Sequence, residues 1–461
     1  DGSMSTNIQK NQITEGIIWR QLLLFFFPIL LGTFFQQLYN TIDSVIVGQF
    51  VGKEALAAVG GSSAQIVAFV VGFFTGLSSG ASVTIAQFFG AKDSRSANKG
   101  LHTAYAIAAF GGLILTVSGI ILTPFLLEMM NTPADIVADS AVYLRIYFAG
   151  IIFVLIYNMG SAILRATGDS KRPLYYLIVC CIINIVLDVL FVIVFHMGVM
   201  GVAVATLIAQ AVSAVLVTLK LMRSEGILKL SVKQIRFHGS ILKMQLKLGL
   251  PTGFEAILFS ITNIAIQSAV NTFGTDTTAA WSAYGKLDAI FWMVSTAFGI
   301  AITTFVGQNY GAGKMDRVRK STRVCLLMDF IVSAVLVVFL IAARFLLFRL
   351  FTNDSHVIEI GCDMLVLITP WYIVYVFIEV IAGALRGVGN VVVPVAITLL
   401  GVCVLRIAWL AAMLKISPTI SAIILSYPVT WVITALAFII YYIYITHKTI
   451  AGSSKKHVPK L

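Results

Sequence analysis

Apolar runs of roughly twenty or more residues recur along nearly the whole of this 461-residue chain. A helix needs about that many residues to cross a ~30 Å hydrocarbon core, where every backbone polar group must be paired internally. The expected fold is therefore an all-α integral membrane protein. Its twelve spans lie near 20–49, 55–88, 97–127, 136–166, 173–195, 199–222, 243–271, 277–308, 319–350, 357–385, 391–414 and 419–446. Hydrophobic residues make up 59% and charged residues 11%, which excludes an ordinary soluble domain. The first apolar run leads straight into the others, without a cleavable signal pattern, and Asp1-Gly2-Ser3 ahead of Met4 reads as a tag scar. The five cysteines are odd in number and sit in apolar runs, so neither a disulfide framework nor a zinc site is expected.

A net charge of +12 invites a nucleic-acid reading, but the position of the basic residues gives a better one. Lysines and arginines follow the even-numbered spans: Lys92, Arg95 and Lys99 after span 2, Lys171 and Arg172 after span 4, and Lys314, Arg317, Arg319, Lys320 and Arg323 after span 8. Further basic residues fill the stretch Lys220–Lys247 and the tail at Lys448, Lys455, Lys456 and Lys460. Basic loops stay on the cytoplasmic side, so both termini are expected there, in a bacterial-type plasma membrane and without nucleic acid as partner.

The chain also repeats itself. Leu164-Arg165-Ala166-Thr167-Gly168 and Leu385-Arg386-Gly387-Val388-Gly389 align at an offset of 221, as do Gln87-x-x-Gly90-Ala91 and Gln308-x-x-Gly311-Ala312. With two residues of slippage upstream, Pro28 aligns with Pro251 and Asn40 with Asn263. Two pseudo-symmetric six-helix lobes follow: an N-terminal tail (1–19), an N-lobe (20–222), a cytoplasmic linker (223–242), a C-lobe (243–446) and a tail (447–461). Six is even, so the lobes insert the same way up, related by an axis along the membrane normal, which suits alternating access. The segment 227–248 mixes apolar and basic residues, as either an interfacial segment on the cytoplasmic leaflet or a solvated tether would.

Within this apolar frame, Gln36, Asn40 and Asp43 share one face of span 1, and Asn184 and Asp188 one face of span 5. A carboxylate at mid-membrane costs about 2.5–3.5 kcal/mol on insertion scales, so it should face a bundle interior or a water-filled cavity. Asp43, Asp188 and Thr206 each lie seven residues from the outer end of their span, about 10 Å deep at 1.5 Å per residue. Equal depth points to one site of two carboxylates, an amide and a hydroxyl, whose hard oxygens suit sodium; a carboxylate pair is equally a proton site. The repeat aligns Asp43 with Ile266 and Asp188 with Trp409, so the fold itself does not demand these acids. Private pairing with a neighbouring helix is the plain alternative, and Asn184 and Thr206 are residue types that often serve that way.

The second half carries Trp281, Tyr284, Asp288 and Trp292 on span 8, Tyr372, Tyr375 and Glu379 on span 10, and Glu255 on span 7. Aromatic faces beside carboxylates attract lipophilic organic cations, although the aromatics alone would equally form an interfacial belt or ordinary packing. Glu379 aligns with Asn158, which joins the substrate-lining set, while Glu255 has Lys243 and Lys247 as alternative partners.

The two six-helix halves, the Asp43 segment ending Val47-Gly48-Gln49-Phe50-Val51-Gly52, the paired Gln motifs and the two Leu-Arg boxes together resemble the multidrug and toxic compound extrusion (MATE) antiporters over essentially the whole chain. The resemblance implies export of cationic or amphipathic compounds driven by inward proton or sodium flow; a monomer that needs no other cofactor is expected. It makes Asp43, Asn184, Asp188 and Thr206 the cation site of the archaeal-type branch, as metal ligands if sodium is the driver. Glu255, Asp288 and Glu379 resemble the C-lobe acids of other branches. A flippase for lipid-linked precursors would show basic residues in its cavity, and an intramembrane enzyme would need a nucleophile–base pair or a metal motif that is not seen. A channel fits a two-lobe repeat less well. Single cysteines at Ser94 and Met315 should label only from the cytoplasmic side with an impermeant maleimide; extracellular labelling of either would invert the topology.

Overall fold

The computed structural model describes residues 11–453, with side chains to Lys448. The expected scar at Asp1–Ser3 and the tail lysines 455, 456 and 460 lie outside the described residues. No strand occurs among the described residues, and the helices follow the expected spans closely. They are α1 (Ile18–Phe50), α2 (Lys53–Gly90), α3 (Ser94–Met129), α4 (Val137–Ala149 with Ile151–Ala166), α5 (Lys171–Val194) and α6 (Val199–Arg223). The second half supplies α7 (Gly239–Asn271), α8 (Thr275–Gly311), α9 (Met315–Ala342), α10 (Ser355–Gly387), α11 (Val392–Ile416) and α12 (Ile420–Lys448). Eleven are long and apolar enough to span singly, and α4 makes the twelfth as a pair bent by 48° at Gly150.

Local chemistry sets the ends. Asp93 caps α3 by accepting from the Ser96 amide, and the Ser96 bonds hold its carboxyl below the usual carboxylate range. Asp354 caps α10 by accepting from the His356 and Val357 amides. Pro28 in α1 and Pro251 in α7 each remove one rung of the helical ladder. Two π-helical turns interrupt the others, Val189–Val194 at the end of α5 and Leu399–Val404 within α11. Outward side chains such as Ile121, Val335 and Ile440 are large, apolar and exposed, as lipid contact requires.

The chain divides into two compact units. One takes the chain up to Gly249 together with Ala301–Val324 and Gly387–Gly389; the other takes Leu250–Ile300, Cys325–Arg386 and the chain from Asn390. Inside the first, α1 packs on α5, α5 on α6, α6 on α4, α4 on α3, and α3 on α2. The linker is no continuous helix: it forms two short turns, Gly226–Leu228 and Val232–Gln234, strapped to α3. Asn98 Nδ2 donates to the Ile227 and Lys229 carbonyls at 2.9 Å, and His102 Nε2 accepts from the Ser231 amide at 3.1 Å. Leu230, between the two turns, is buried.

The repeated motifs interlock within the same unit. Gln87 Nε2 donates to the Gly387 carbonyl at 2.9 Å, and Gln308 Nε2 to the Ala166 carbonyl at 2.7 Å. Gly90 lies against the Gln308 carbonyl and Gly311 against the Gln87 carbonyl, so close that a Cβ at either glycine would collide with backbone. Arg317 fastens the N-terminal segment beside them, donating to the Ile13 and Gly16 carbonyls at 2.7 and 3.0 Å. Each half thus lends a Gln side chain to the other half's Leu-Arg box, which is why both motifs recur together. Gly90→Ala and Gly311→Ala should each lower the thermal unfolding midpoint by the equivalent of about 1–3 kcal/mol of overpacking. Gly60→Ala, which meets open space, should not. Wild-type melting of Gly311→Ala would contradict the interlock.

Candidate cation and substrate sites

Three neighbouring helices of the first unit, α1, α5 and α6, bring together the four residues that shared a depth in the sequence. Asn184 Nδ2 donates to Asp43 Oδ1 at 2.6 Å and reaches Asp188 Oδ2 at 3.4 Å. Thr206 Oγ1 lies 3.5 Å from Asp43 Oδ2. All four are buried, Asn184 and Asp188 completely. The Asn184 amide lies between the two carboxyls, so both acids belong to one cluster.

This cluster is short of donors. Asp188 Oδ1 and Asn184 Oδ1 are buried without a hydrogen-bond partner. Two hard oxygens left unanswered beside a second carboxylate suit a sodium ion or a proton, and the donor set of two carboxylates, an amide carbonyl and a hydroxyl fits either. Around it stands a shell that sequence reading missed: Tyr39 is buried one turn from Asp43 and accepts from Gln210 Nε2 at 3.0 Å.

Gln36 and Asn40 do not join the cluster; both are exposed. The covered stripe of α1 runs through Tyr39, Asp43, Ile46 and Val47. Asn40 sits about 100° round the helix from Tyr39, and Gln36 lies a turn short of that cover. Periodicity assigned a face to these residues, but only neighbouring helices could bury it.

In the second unit the aligned positions are apolar or satisfied. Ile266 packs with Leu410 and Ile423, and Trp409 gives its indole N–H to the Ala422 carbonyl at 2.7 Å. The chemistry there is elsewhere, around a cavity of about 380 Å³ walled in part by Trp281, Tyr284, Asp288, Trp292, Arg406 and Trp431. Asp288 accepts on both oxygens: from Tyr372 and Tyr284 on Oδ1 and from Trp292 Nε1 on Oδ2 at 2.8 Å. Behind the wall, Tyr372 stacks on Phe291 at 3.9 Å, which fixes the phenol that holds Asp288.

The other candidates of this half are not in that wall. Tyr375 packs edge-on against Trp292 at 4.7 Å, one layer back. Glu379 pairs with Arg386 at 3.7 Å, and Glu255 on α7 does not line the wall either. Asn158 belongs to α4 of the first unit. Spacing on one helix could not reveal these separations, because they depend on which neighbour each turn meets.

Two charged residues escaped the sequence reading. Asp329 on α9 is fully buried; it accepts from Ser333 Oγ at 3.1 Å, and its Oδ2 has no partner. Arg406 on α11 is buried just beyond the second π turn. The signal existed for both, since each is a lone charge in an apolar run.

Comparison with known proteins agrees with this architecture. The MatE family model matches residues 28–190 and 251–410, one match in each half. The chain is 30% identical over 393 residues to a probable multidrug resistance protein, YoeA, of Bacillus subtilis, covering 84% of each. It is 27% identical over 420 residues to a probable multidrug resistance protein, NorM, of Thermotoga maritima, covering 88% of each. In fold it resembles a MOP superfamily transporter from Pyrococcus furiosus described as having a binding pocket of reverse polarity, with a TM-score of 0.89 over 97% of this chain and 99% of that one at 20% identity. The chain belongs to the MATE family of multidrug transporters.

Proposed function

We propose that this protein is a secondary antiporter of a bacterial-type plasma membrane that exports lipophilic and cationic compounds in exchange for H⁺ or Na⁺. The observation that carries this reading is the buried Asp43–Asn184–Asp188–Thr206 cluster with its two unpartnered oxygens. An exchanger needs a group whose affinity for the driving ion differs between two conformations, because equal affinity shifts nothing. Buried carboxylates meet that need. With a cation or proton bound they tolerate a dry, closed surrounding; without one they require water.

Substrate is assigned to the aromatic cavity of the second half, where Asp288 supplies the negative charge. Its oxygens are held by neutral donors, so it attracts a cation by field more than by direct bonding. With the basic loops cytoplasmic, filling the cation site from outside drives substrate release outward. The flippase reading gains one supporting feature, Arg406 in the wall, but a pyrophosphate headgroup calls for a cluster of basic residues and the wall holds no other lysine or arginine.

In proteoliposomes, Asp43→Asn and Asp188→Asn should each reduce gradient-driven tetraphenylphosphonium transport by about tenfold or more while the protein stays folded. Because the pair acts as a unit, the double variant should be scarcely worse than either single one. Near wild-type accumulation by Asp43→Asn would remove the first-half site from the mechanism and leave Glu255, Asp329 and Glu379 to carry it.

A further inference from the structure

The cavity of the second half has a pole of each sign, and the two are satisfied very differently. Asp288 accepts three hydrogen bonds from rigid aromatic neighbours. Arg406, 2% exposed, makes only neutral direct contacts: Nη2 donates to Thr430 Oγ1 at 2.9 Å, and the guanidinium lies 4.1 Å from the centre of the Tyr427 ring, while Asp288 shares the cavity wall without pairing with it. Its Nε finds no acceptor, and it forms no ion pair among the described residues.

A buried guanidinium without a carboxylate in contact is costly, and unmade bonds to a charged donor are the costliest part. The geometry keeps it there nonetheless, at the cavity wall, between the Tyr427 ring and a hydroxyl that already donates to the Ser426 carbonyl at 2.6 Å. Trp281 lies 5.9 Å from Tyr427 and Trp431 5.7 Å from it, at 42° and 67°, so a cluster of inclined aromatic rings adjoins the cation. An arginine fork beside aromatic faces is the arrangement that recognises a planar acid on a planar body. The cavity volume of about 380 Å³ falls within the range of small-molecule pockets and suits a ligand of two or three fused rings.

We propose that this cavity takes aromatic organic anions, with a carboxylate or sulfonate on Arg406 and the ring system against Trp281, Tyr427 and Trp431. The proposal rests on the reading of the cavity as the substrate site and extends it: Asp288 admits cations by its field, and Arg406 gives acids a direct partner. The acid, not the protein, supplies a charged acceptor in direct contact with the guanidinium.

The test uses three probes with one ring system, 2-naphthoate, 2-naphthamide and 2-naphthylmethylammonium, bound to the full-length protein in lipid nanodiscs and followed by tryptophan fluorescence against empty nanodiscs. Wild type should bind 2-naphthoate about tenfold more tightly than 2-naphthamide, the size expected of one charge-assisted contact. Arg406→Gln should erase that preference while 2-naphthamide affinity stays within about twofold; if this variant loses all binding, Arg406→Lys decides, and it must retain part of the preference. No preference in wild type, or one that survives Arg406→Gln or vanishes in Arg406→Lys, overturns the proposal. Trp281→Ala separates the two readings. If it leaves all three affinities unchanged, the cavity is not the binding site and both readings fall. If it weakens all three and naphthoate is still not favoured in wild type, the cavity stands and the anion proposal alone falls.

Discussion

A carboxylate in a helix that crosses hydrocarbon has to be answered by a donor or a cation, and here the first answer is the amide of Asn184. Its bond of 2.6 Å to Asp43 ties α1 to α5. Because Asn184 and Asp188 are one turn apart, the same amide draws the second carboxylate to within 3.4 Å. One amide cannot satisfy two acids, so the cluster is left with bare oxygens at full burial. The π turn that begins at Val189 follows immediately, where the regular ladder of α5 gives way. Burial, an incomplete donor set and a local break in the helix meet at a place whose counterpart in the other half is apolar or satisfied.

The second half shows what the same scaffold looks like without that demand. Ile266 and Leu410 close the equivalent space with apolar packing, and Trp409 settles its single polar atom on backbone. Its own charged groups lie on other turns. Asp288 is bound into an aromatic wall, and Arg406 emerges just past a π turn of its own. A duplicated fold has thus placed a donor-poor acid cluster in one unit and a two-signed aromatic cavity in the other. On the proposed reading, one handles the driving ion and the other the cargo.

Much of this was legible in the sequence, because the bilayer imposes simple rules. Span length, helical type and the internal repeat follow from hydrocarbon thickness and backbone pairing, and the structure's helices match them within a few residues at most ends. Equal depth on three spans was enough to assemble Asp43, Asn184, Asp188 and Thr206. What failed required knowledge of neighbours. Gln36 and Asn40 have the right spacing but lie off the covered stripe of α1. Glu379 shares a helical face with Tyr375, yet meets Arg386 rather than the cavity. The Gln and Leu-Arg motifs were visible as repeats, but nothing in either motif says that each pairs with the other half's copy. Arg406 and Asp329 do carry a sequence signal, since a lone charge in an apolar run is informative whatever its sign.

The central claim is that occupation of the first-half cluster governs substrate affinity, a coupling that must be reciprocal. The most direct measurement is the equilibrium affinity of the reconstituted protein for tetraphenylphosphonium, across a series of sodium concentrations and pH values with no gradient imposed. The account predicts an affinity that shifts about fivefold or more as the coupling ion saturates, and that Asp43→Asn makes flat while binding itself persists. The same ion dependence in Asp43→Asn as in wild type would contradict it.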